Sequence, residues 1–436
     1  MIREVIFRLL KPKIYAELLE SRKRKYSFKF YGGDTNKKDI QSLLKHAKEN
    51  SPYYRVLLEN FDDAVDLKII PLLTKAKIKE NRDTILSEKK HDLLNAMENS
   101  TSGSSGEACY FYSDIRGGRD ARAYRGDEYV KGYSFLNKQL IFWGAERDIL
   151  HKKSLKSFFH KYIYQQQTLS TYNLKADDLH EYVEIINKYK PVTIVGYPSA
   201  LQFIGKDIVN KNVQLTHTPK GIITSGEMLY DEQRKVIESA FNAPVYNRYG
   251  CREFGHIANE CEAHDGYHYN ADDLIIEIID NDGNPCKVGD VGQIVITDLK
   301  NYTFPMIRYV IGDMGMVSEE HSCKCGSSLP KFNSVIGRSF DIVHGVNGNK
   351  VSGSFWTLSF RDSVLGVESF QIRQDKDYSL TVNIKTNTLF TMKEEEKIKL
   401  LIEDKLGDNH VEIFVVEQLE KSPTGKFKWI HSELNK

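Results

Sequence analysis

No stretch of this chain approaches the roughly 18–20 consecutive apolar residues that cross a bilayer. Its start, MIREVIFRLLKPK, is broken by Arg8, Lys11 and Pro12. It therefore lacks the continuous apolar centre and small-residue cleavage site of a secretory signal. Cysteine is scarce, six in 436 residues; that excludes a disulfide scaffold and points to a cytoplasmic protein. An excess of either charge is missing too. Against 61 Lys and Arg stand 60 Asp and Glu, a net charge of +1, which argues against a broad basic face for nucleic acid. Internal repeats and low-complexity linkers are absent. What is present, 40 % apolar and 11 % aromatic residues, can build substantial cores in two or three packed units.

Ile2, Val5, Ile6, Leu9 and Leu10 recur at helical spacing with Arg3, Arg8 and Lys11 among them, and the basic run Arg22-Lys23-Arg24-Lys25 follows. The favoured reading is a helix docked on its own domain, with its charged face in water. Contact with an anionic membrane surface is the less favoured alternative. Helical periodicity continues through Lys38–Asn50 and Ala64–Ile85, the latter interrupted by Pro71. Further on, helix-like 177–190, 201–210 and 231–241 alternate with the short apolar runs VTIVGY (192–197), GIITSGE (221–227) and VYNRYG (245–250). Such alternation predicts an α/β sheet. From Asp273 the text becomes β-rich, with Asn-Asp-Gly-Asn and Val-Gly-Asp turns, and after Arg338 it reads strand, strand, helix, strand. The expected fold is therefore α/β. A large N-terminal domain, residues 1–340, combines α/β sheets with a β-rich, barrel-like part; a small α+β domain, residues 341–436, follows.

The strongest local signal is Thr101-Ser102-Gly103-Ser104-Ser105-Gly106, preceded by Ser100. Glycines let the backbone approach an anion, and successive amides can cradle phosphate. It is not a Walker A loop, since Glu107 follows Gly106 where that motif carries Lys-Ser/Thr. Four later stretches bear on how it is read: Tyr249-Gly250-Cys251-Arg252-Glu253, Arg308–Asp313, Gly337-Arg338-Ser339-Phe340-Asp341 and Pro423–Lys428.

In this order these motifs resemble those of the adenylate-forming enzymes: acyl-CoA synthetases, peptide-synthetase adenylation domains and luciferase. The phrases IIPLLTKAKIKEN (69–81), VGYPSAL (195–201), ITSGEML (223–229), YGCREFGHIANEC (249–261) and LKNYTFPMIRYVIGD (299–313) resemble more narrowly the phenylacetate-CoA ligase branch. That branch includes coenzyme F390 synthetase-like and CapK-type capsular polysaccharide proteins. The resemblance implies a ligase that joins a carboxylate to the α-phosphate of ATP, releasing pyrophosphate and leaving an acyl-adenylate. Coenzyme A or a carrier-protein thiol would then receive the acyl group. The chemistry asks for charge neutralisation and in-line positioning. Thr101–Gly106 would hold the terminal phosphates. Ser225, Gly226, Glu227, Tyr249 and Gly250 would border the ATP or AMP, with Tyr249 on adenine. Glu253 would bind Mg²⁺. Asp313 would hold the ribose hydroxyls, reinforced by Arg338, and Lys426 would reach the α-phosphate and the attacking carboxylate. The C-terminal domain of such enzymes rotates between half-reactions, and Asp341 matches the hinge. The superfamily's commonest loop has Lys where Glu107 stands, so backbone donors and Mg²⁺ would carry the neutralisation here.

A second constellation is Cys261, His268, Cys323 and Cys325. Zinc takes four tetrahedral N or S ligands, and a Cys-x-Cys knuckle closed by a glycine supplies two. His264 and His321 compete with His268, which is preferred because it leads into a strand. The expected zinc is structural. Tyr197, Pro198, Glu227 and the pair Trp143-Gly144 are candidate walls of an acyl pocket, by analogy. The other reading is a catalytically degenerate zinc-containing scaffold of a surface-polysaccharide pathway. Neither reading fixes the acid, nor the oligomeric state, a homodimer included.

Overall fold

A computed structural model describes residues 2–12, 15–16, 18–19, 37–61, 66–100, 109–115, 122–123, 126–143, 162–171, 179–210, 215–280, 282–318, 323–338, 342–352, 356, 359–360, 364–420 and 429–434. The chain divides into two compact units. One comprises Met1–Ile311 with Met316–Ser334, the other Gly312–Gly315 with Val335–Lys436.

The first unit is built on an eight-stranded sheet. Across it the strands run Lys331–Phe332, Tyr267–Tyr269, Gly255–Asn259, Val245–Cys251, Gly221–Ser225, Thr193–Gly196, Gln139–Trp143 and Gln166–Ser170. The last five are mutually parallel, and Gly255–Asn259, Tyr267–Tyr269 and Lys331–Phe332 add antiparallel edges. Parallel strands covered on both faces tolerate continuous apolar runs. That is why every residue of Thr193–Gly196 and Gly221–Ser225 is buried. On one face Leu140, Phe142, Ile194, Ile222 and Val245 pack under the helices Leu179–Tyr189, Pro198–Asn210 and Asp231–Phe241, through Val183, Ile186, Leu201, Ile204, Ile237 and Phe241. On the other, Val195, Ile223 and Tyr246 meet Val130 and Tyr133. Each fully buried aliphatic side chain contributes about 1.5–3 kcal/mol, so this double layer fixes the sheet firmly.

Two neighbouring strands, Leu274–Ile279 and Val291–Asp298, pair antiparallel in the β-rich region. Their turn is held by the Asp280 carboxylate, which accepts from the amides of Asp282 at 2.9 Å and Asn284 at 2.8 Å, with Gly283 at φ +85°. The Asn-Asp-Gly-Asn expectation is met by an Asx-type turn.

The second unit contains a four-stranded sheet ordered Val411–Val415, Leu380–Thr386, Val367–Gln374 and Ile430–Ser432. Its helix Met392–Leu406 buries Ile398, Ile402 and Leu406, four residues apart on one face, against Phe370, Ile372, Val382 and Ile384. The Ile372 amide donates to Trp429 O at 2.8 Å and the Gln371 amide group to Glu420 O at 3.2 Å. Adjacent residues of one strand thus tie both flanks of 421–428. No described helix is long and apolar enough to cross a membrane.

Candidate functional site

In a parallel sheet, ligands settle at the carboxyl ends of the strands. Those ends carry Trp143, Tyr197 and Ser225-Gly226-Glu227. The Trp143 and Tyr197 rings stack with centroids 4.4 Å apart. Ser199 donates to Glu227 twice, from its amide and its hydroxyl, each at 3.0 Å, which holds the carboxylate against the start of the helix Pro198–Asn210. Gly226 has φ +81°, and a Cβ there would lie 2.8 Å from Tyr197 Cε1. Glycine is required twice over: by the left-handed backbone and by the ring beside it. Trp143, Tyr197, Pro198 and Glu227 therefore gather at one edge of the sheet, while Gly144 lies outside the described residues.

The next strand, Val245–Cys251, ends in a turn that delivers Glu253. Gly250 is pressed against the return strand, where a Cβ would meet Gly255 O at 2.5 Å. Glu253 is buried and accepts from the Tyr309 hydroxyl at 3.1 Å. Burial, followed by the neighbouring Glu253 charge, pushes the Tyr309 phenol well up, so it stays a neutral donor. The turn is anchored by Arg122, fully enclosed, which donates to Phe254 O and to Asp298, both at 3.0 Å. Tyr249 sets its ring edge-on to Phe332, centroids 6.1 Å apart, and Phe332 in turn stacks on Tyr267 at 5.5 Å.

Arg308, read in the sequence only as part of a motif, proves to be a clamp. Its guanidinium forks onto Glu277 at 2.9 and 3.1 Å and donates to Ile70 O at 2.8 Å. The Leu73 amide donates to Arg308 O at 3.0 Å, and Leu73 O accepts from the Val310 amide at 2.9 Å. Two phrases far apart in sequence, IIPLLTK and RYVIGD, thereby become one structure. No spacing rule would have found that pairing.

The hydroxyl-rich stretch Thr101–Gly106 lies outside the described residues, but its flanking strands Ala96–Ser100 and Tyr110–Asp114 pair antiparallel, Ser100 opposite Tyr110. Asp313 is half-buried on the strand Tyr309–Met316, and Arg338 ends the strand Ser334–Arg338. Lys426, Asp341 and His321 lie outside the described residues.

Cys261, His268, Cys323 and Cys325 converge, their ligand atoms all within 4.8 Å of one another. Cys261 Sγ lies 3.5 Å from Cys323 Sγ, and Cys325 Sγ 3.5 Å from His268 Nε2. Tetrahedral zinc with ordinary bond lengths needs S···S of about 3.8 Å and S···N of about 3.6 Å, so the donor set fits with small adjustments. His268 presents Nε2 because its Nδ1 is committed to Leu329 O at 3.0 Å, the usual second contact of a metal-binding imidazole. Tyr129 stacks on the ring at 5.4 Å. Gly326, at φ +79°, closes the knuckle, and the Ser327 amide points at Cys325 Sγ at 3.4 Å. Hydrogen bonding from Cys261, then from His268, draws the Cys325 thiol below its ordinary range. His264 points elsewhere: its Nδ1 sits 3.3 Å from Arg234 and 3.4 Å from Glu260.

The centre has a structural consequence. Lys331 pairs with His268 and Phe332 with Tyr267, so the knuckle-bearing segment is sewn onto the edge of the main sheet. Phe332, on that segment, is the ring that supports Tyr249.

Comparison with known proteins follows the same lines. A family model described as the CapK C-terminal domain matches residues 343–433. Protein CapK of Staphylococcus aureus is 25 % identical over 403 residues, 89 % of this chain and 86 % of that one. Phenylacetate-coenzyme A ligase of Thermus thermophilus is 29 % identical over 172 residues, 38 % of either chain. The crystal structure of 2-hydroxyisobutyryl-CoA ligase in the postadenylation state, in complex with R3-HIB-AMP, superposes with a TM-score of 0.68 at 16 % identity, covering 91 % of this chain and 88 % of that one; this likeness shows the fold. Motif order, architecture and relatives point the same way: the chain is similar to CapK over most of its length, to the phenylacetate-coenzyme A ligases over part of it, and in fold to the acyl-adenylate-forming CoA ligases.

Proposed function

We propose that the chain activates a carboxylic acid with ATP, forming an acyl-adenylate, and passes the acyl group to coenzyme A or a carrier-protein thiol. The observation that carries this reading is the carboxyl edge of the parallel sheet. There the Trp143–Tyr197 stack, the Ser199-anchored Glu227 and Gly226 stand beside the turn that presents Glu253. Relatives of the same superfamily support it: the phenylacetate-coenzyme A ligases by sequence, and the ligase structure with an acyl-AMP by fold.

Each residue then has a task. Trp143 and Tyr197 give the acyl part an apolar wall and keep water from it. Ser225, Gly226, Glu227, Tyr249 and Gly250 border the nucleotide. Glu253, held by the Tyr309 hydroxyl, offers an oxygen to Mg²⁺, which when bound would neutralise phosphate charge. Thr101–Gly106 takes the terminal phosphates, Asp313 the ribose with help from Arg338, and Lys426 the α-phosphate and the attacking carboxylate. The carboxylate oxygen forms its bond to the α-phosphorus as the bond to pyrophosphate breaks. Cys261, His268, Cys323 and Cys325 hold a structural zinc ion.

The decisive experiment is acid-dependent ATP–pyrophosphate exchange over aryl, alkyl and amino acids. Exchange with some acid is expected, abolished by Lys426→Ala, while that variant still converts a supplied acyl-adenylate to thioester. Silence across the panel together with absent nucleotide binding would favour a non-catalytic scaffold. Wild-type exchange by Lys426→Ala would remove that lysine from the mechanism.

A further inference from the structure

The strand Val367–Gln374 is an inner strand of the second unit's sheet, and its side chains alternate between two faces. Phe370 and Ile372 pack into the apolar cluster that also holds Ile398 and Ile402 of the helix. Gln371 therefore looks the other way, yet it is fully buried, 0 % exposed. Its Nε2 lies 3.2 Å from Glu420 O and 3.1 Å from His431 Nε2. A carbonyl only accepts, so the atom facing Glu420 O is the amide nitrogen, and its second hydrogen goes to His431. Glu420 and His431 stand on either side of 421–428, the stretch that contains Lys426. One buried side chain thus bonds to both flanks of that stretch. The backbone repeats the pattern: the Ile372 amide donates to Trp429 O at 2.8 Å, and Arg373 sits opposite His431 in the parallel register. Arg373 also pairs with the Glu420 carboxylate, an exposed ion pair and so a minor support.

We propose that Gln371 is a positioning residue for adenylation, which by fastening both flanks of 421–428 sets where Lys426 can reach. The inference rests on the role given to Lys426 above. A polar side chain is kept at a fully buried position where its hydrogens find acceptors, and here both acceptors belong to the ends of one segment. Pinning those ends narrows the volume that the residues between them can visit. A lysine that meets the α-phosphate and the attacking carboxylate needs that restriction, because a misplacement of about 1 Å costs roughly 100-fold in rate. Gln371 acts through the segment, without contact to the nucleotide. The same strand carries its own contrast. Gln374 is equally buried, but it donates to His344 O at 2.6 Å and accepts from the Ser432 hydroxyl at 3.0 Å. Its bonds stabilise the sheet beside the segment, while those of Gln371 close on the segment itself.

The test compares the two half-reactions in the full chain, with calorimetric melting to show that each variant is folded. Gln371→Leu should lower acid-dependent ATP–pyrophosphate exchange about 100-fold. It should still convert a supplied acyl-adenylate to thioester at the wild-type rate, a milder form of the pattern expected for Lys426→Ala. Gln374→Leu removes an equally buried amide from the same strand and should change exchange far less. His431→Leu should reproduce the loss, and His431→Gln, which keeps an acceptor, should recover most of it. Equal losses in both half-reactions, equal losses in Gln371→Leu and Gln374→Leu, or no recovery in His431→Gln would each overturn the inference. If Lys426→Ala keeps wild-type exchange, the role of that lysine falls and the inference falls with it. If Lys426→Ala abolishes exchange while Gln371→Leu retains it, the inference alone falls.

Discussion

Chelating the metal proposed at the Cys/His cluster is the perturbation from which most can be learned. Three sulfurs and one imidazole nitrogen within 4.8 Å predict one zinc per chain in protein purified without chelator. A site that binds the folded state alone stabilises it by about 2.7 kcal/mol when free zinc stands 100-fold above its dissociation constant. For a unit of this size each kcal/mol moves the melting temperature by roughly 1–2 °C. Chelation should therefore lower the melting temperature of the first unit by roughly 3–5 °C, and zinc should restore it. Cys261→Ser should lose more than the roughly 10–100-fold in zinc affinity that outer-shell changes cause. Because the knuckle segment carries Phe332, which supports Tyr249 at 6.1 Å, chelation should also weaken nucleotide binding before the protein unfolds. Elemental analysis, calorimetric melting and nucleotide titration read these three outcomes. Metal-free protein with an unchanged melting profile after chelation would refute the reasoning, and so would full zinc occupancy in Cys261→Ser.

Three further expectations follow from particular contacts. Arg308→Met leaves the Glu277 carboxylate without its fork and Ile70 O without a donor, and should destabilise the first unit by about 3–5 kcal/mol in urea unfolding; a loss below 1 kcal/mol would contradict the clamp. Glu260 is buried, yet hydrogen bonds from His264 and Arg234 outweigh that burial and hold its carboxyl below the usual range. Its stabilisation is present above the unfolded value near 4.3 and is lost as pH falls through the lower folded value. Glu260→Gln should therefore cost about 2 kcal/mol at pH 7, and the gap should close on acidification; a pH-independent difference would be inconsistent with it. Gly226→Ala places a Cβ 2.8 Å from Tyr197 at φ +81°, so in the exchange assay it should raise the KM for the acid more than that for ATP.

Much of the local structure was legible because the responsible interactions are short-range. The helix Asp231–Phe241 and the strands at 193–196 and 221–225 follow their hydrophobic patterns closely. The turn at Asp280–Asn284 follows from side chains bonding to amides two and four residues away. Among the strands that escaped notice, two in the main sheet are instructive. Gln166–Ser170 has no apolar run and lies at the sheet edge, while Gln139–Trp143 opens with a buried glutamine whose amide is satisfied by Asp127 at 3.0 Å and Thr193 at 3.2 Å. Polar residues hide a strand when their partners come from distant sequence.

The amino-acid order by itself set the α/β alternation, the Cys and His residues of the candidate metal cluster and the serial motifs, because periodicity, turn chemistry and side-chain donors are carried by neighbouring residues. The three-dimensional arrangement alone decided that Arg308 fastens the segment Lys68–Leu73 and that Val5 and Leu9 look outward. Each of these rests on distances between groups tens to hundreds of residues apart, or on which side of a helix meets its domain. Only packing of the whole chain can choose among them.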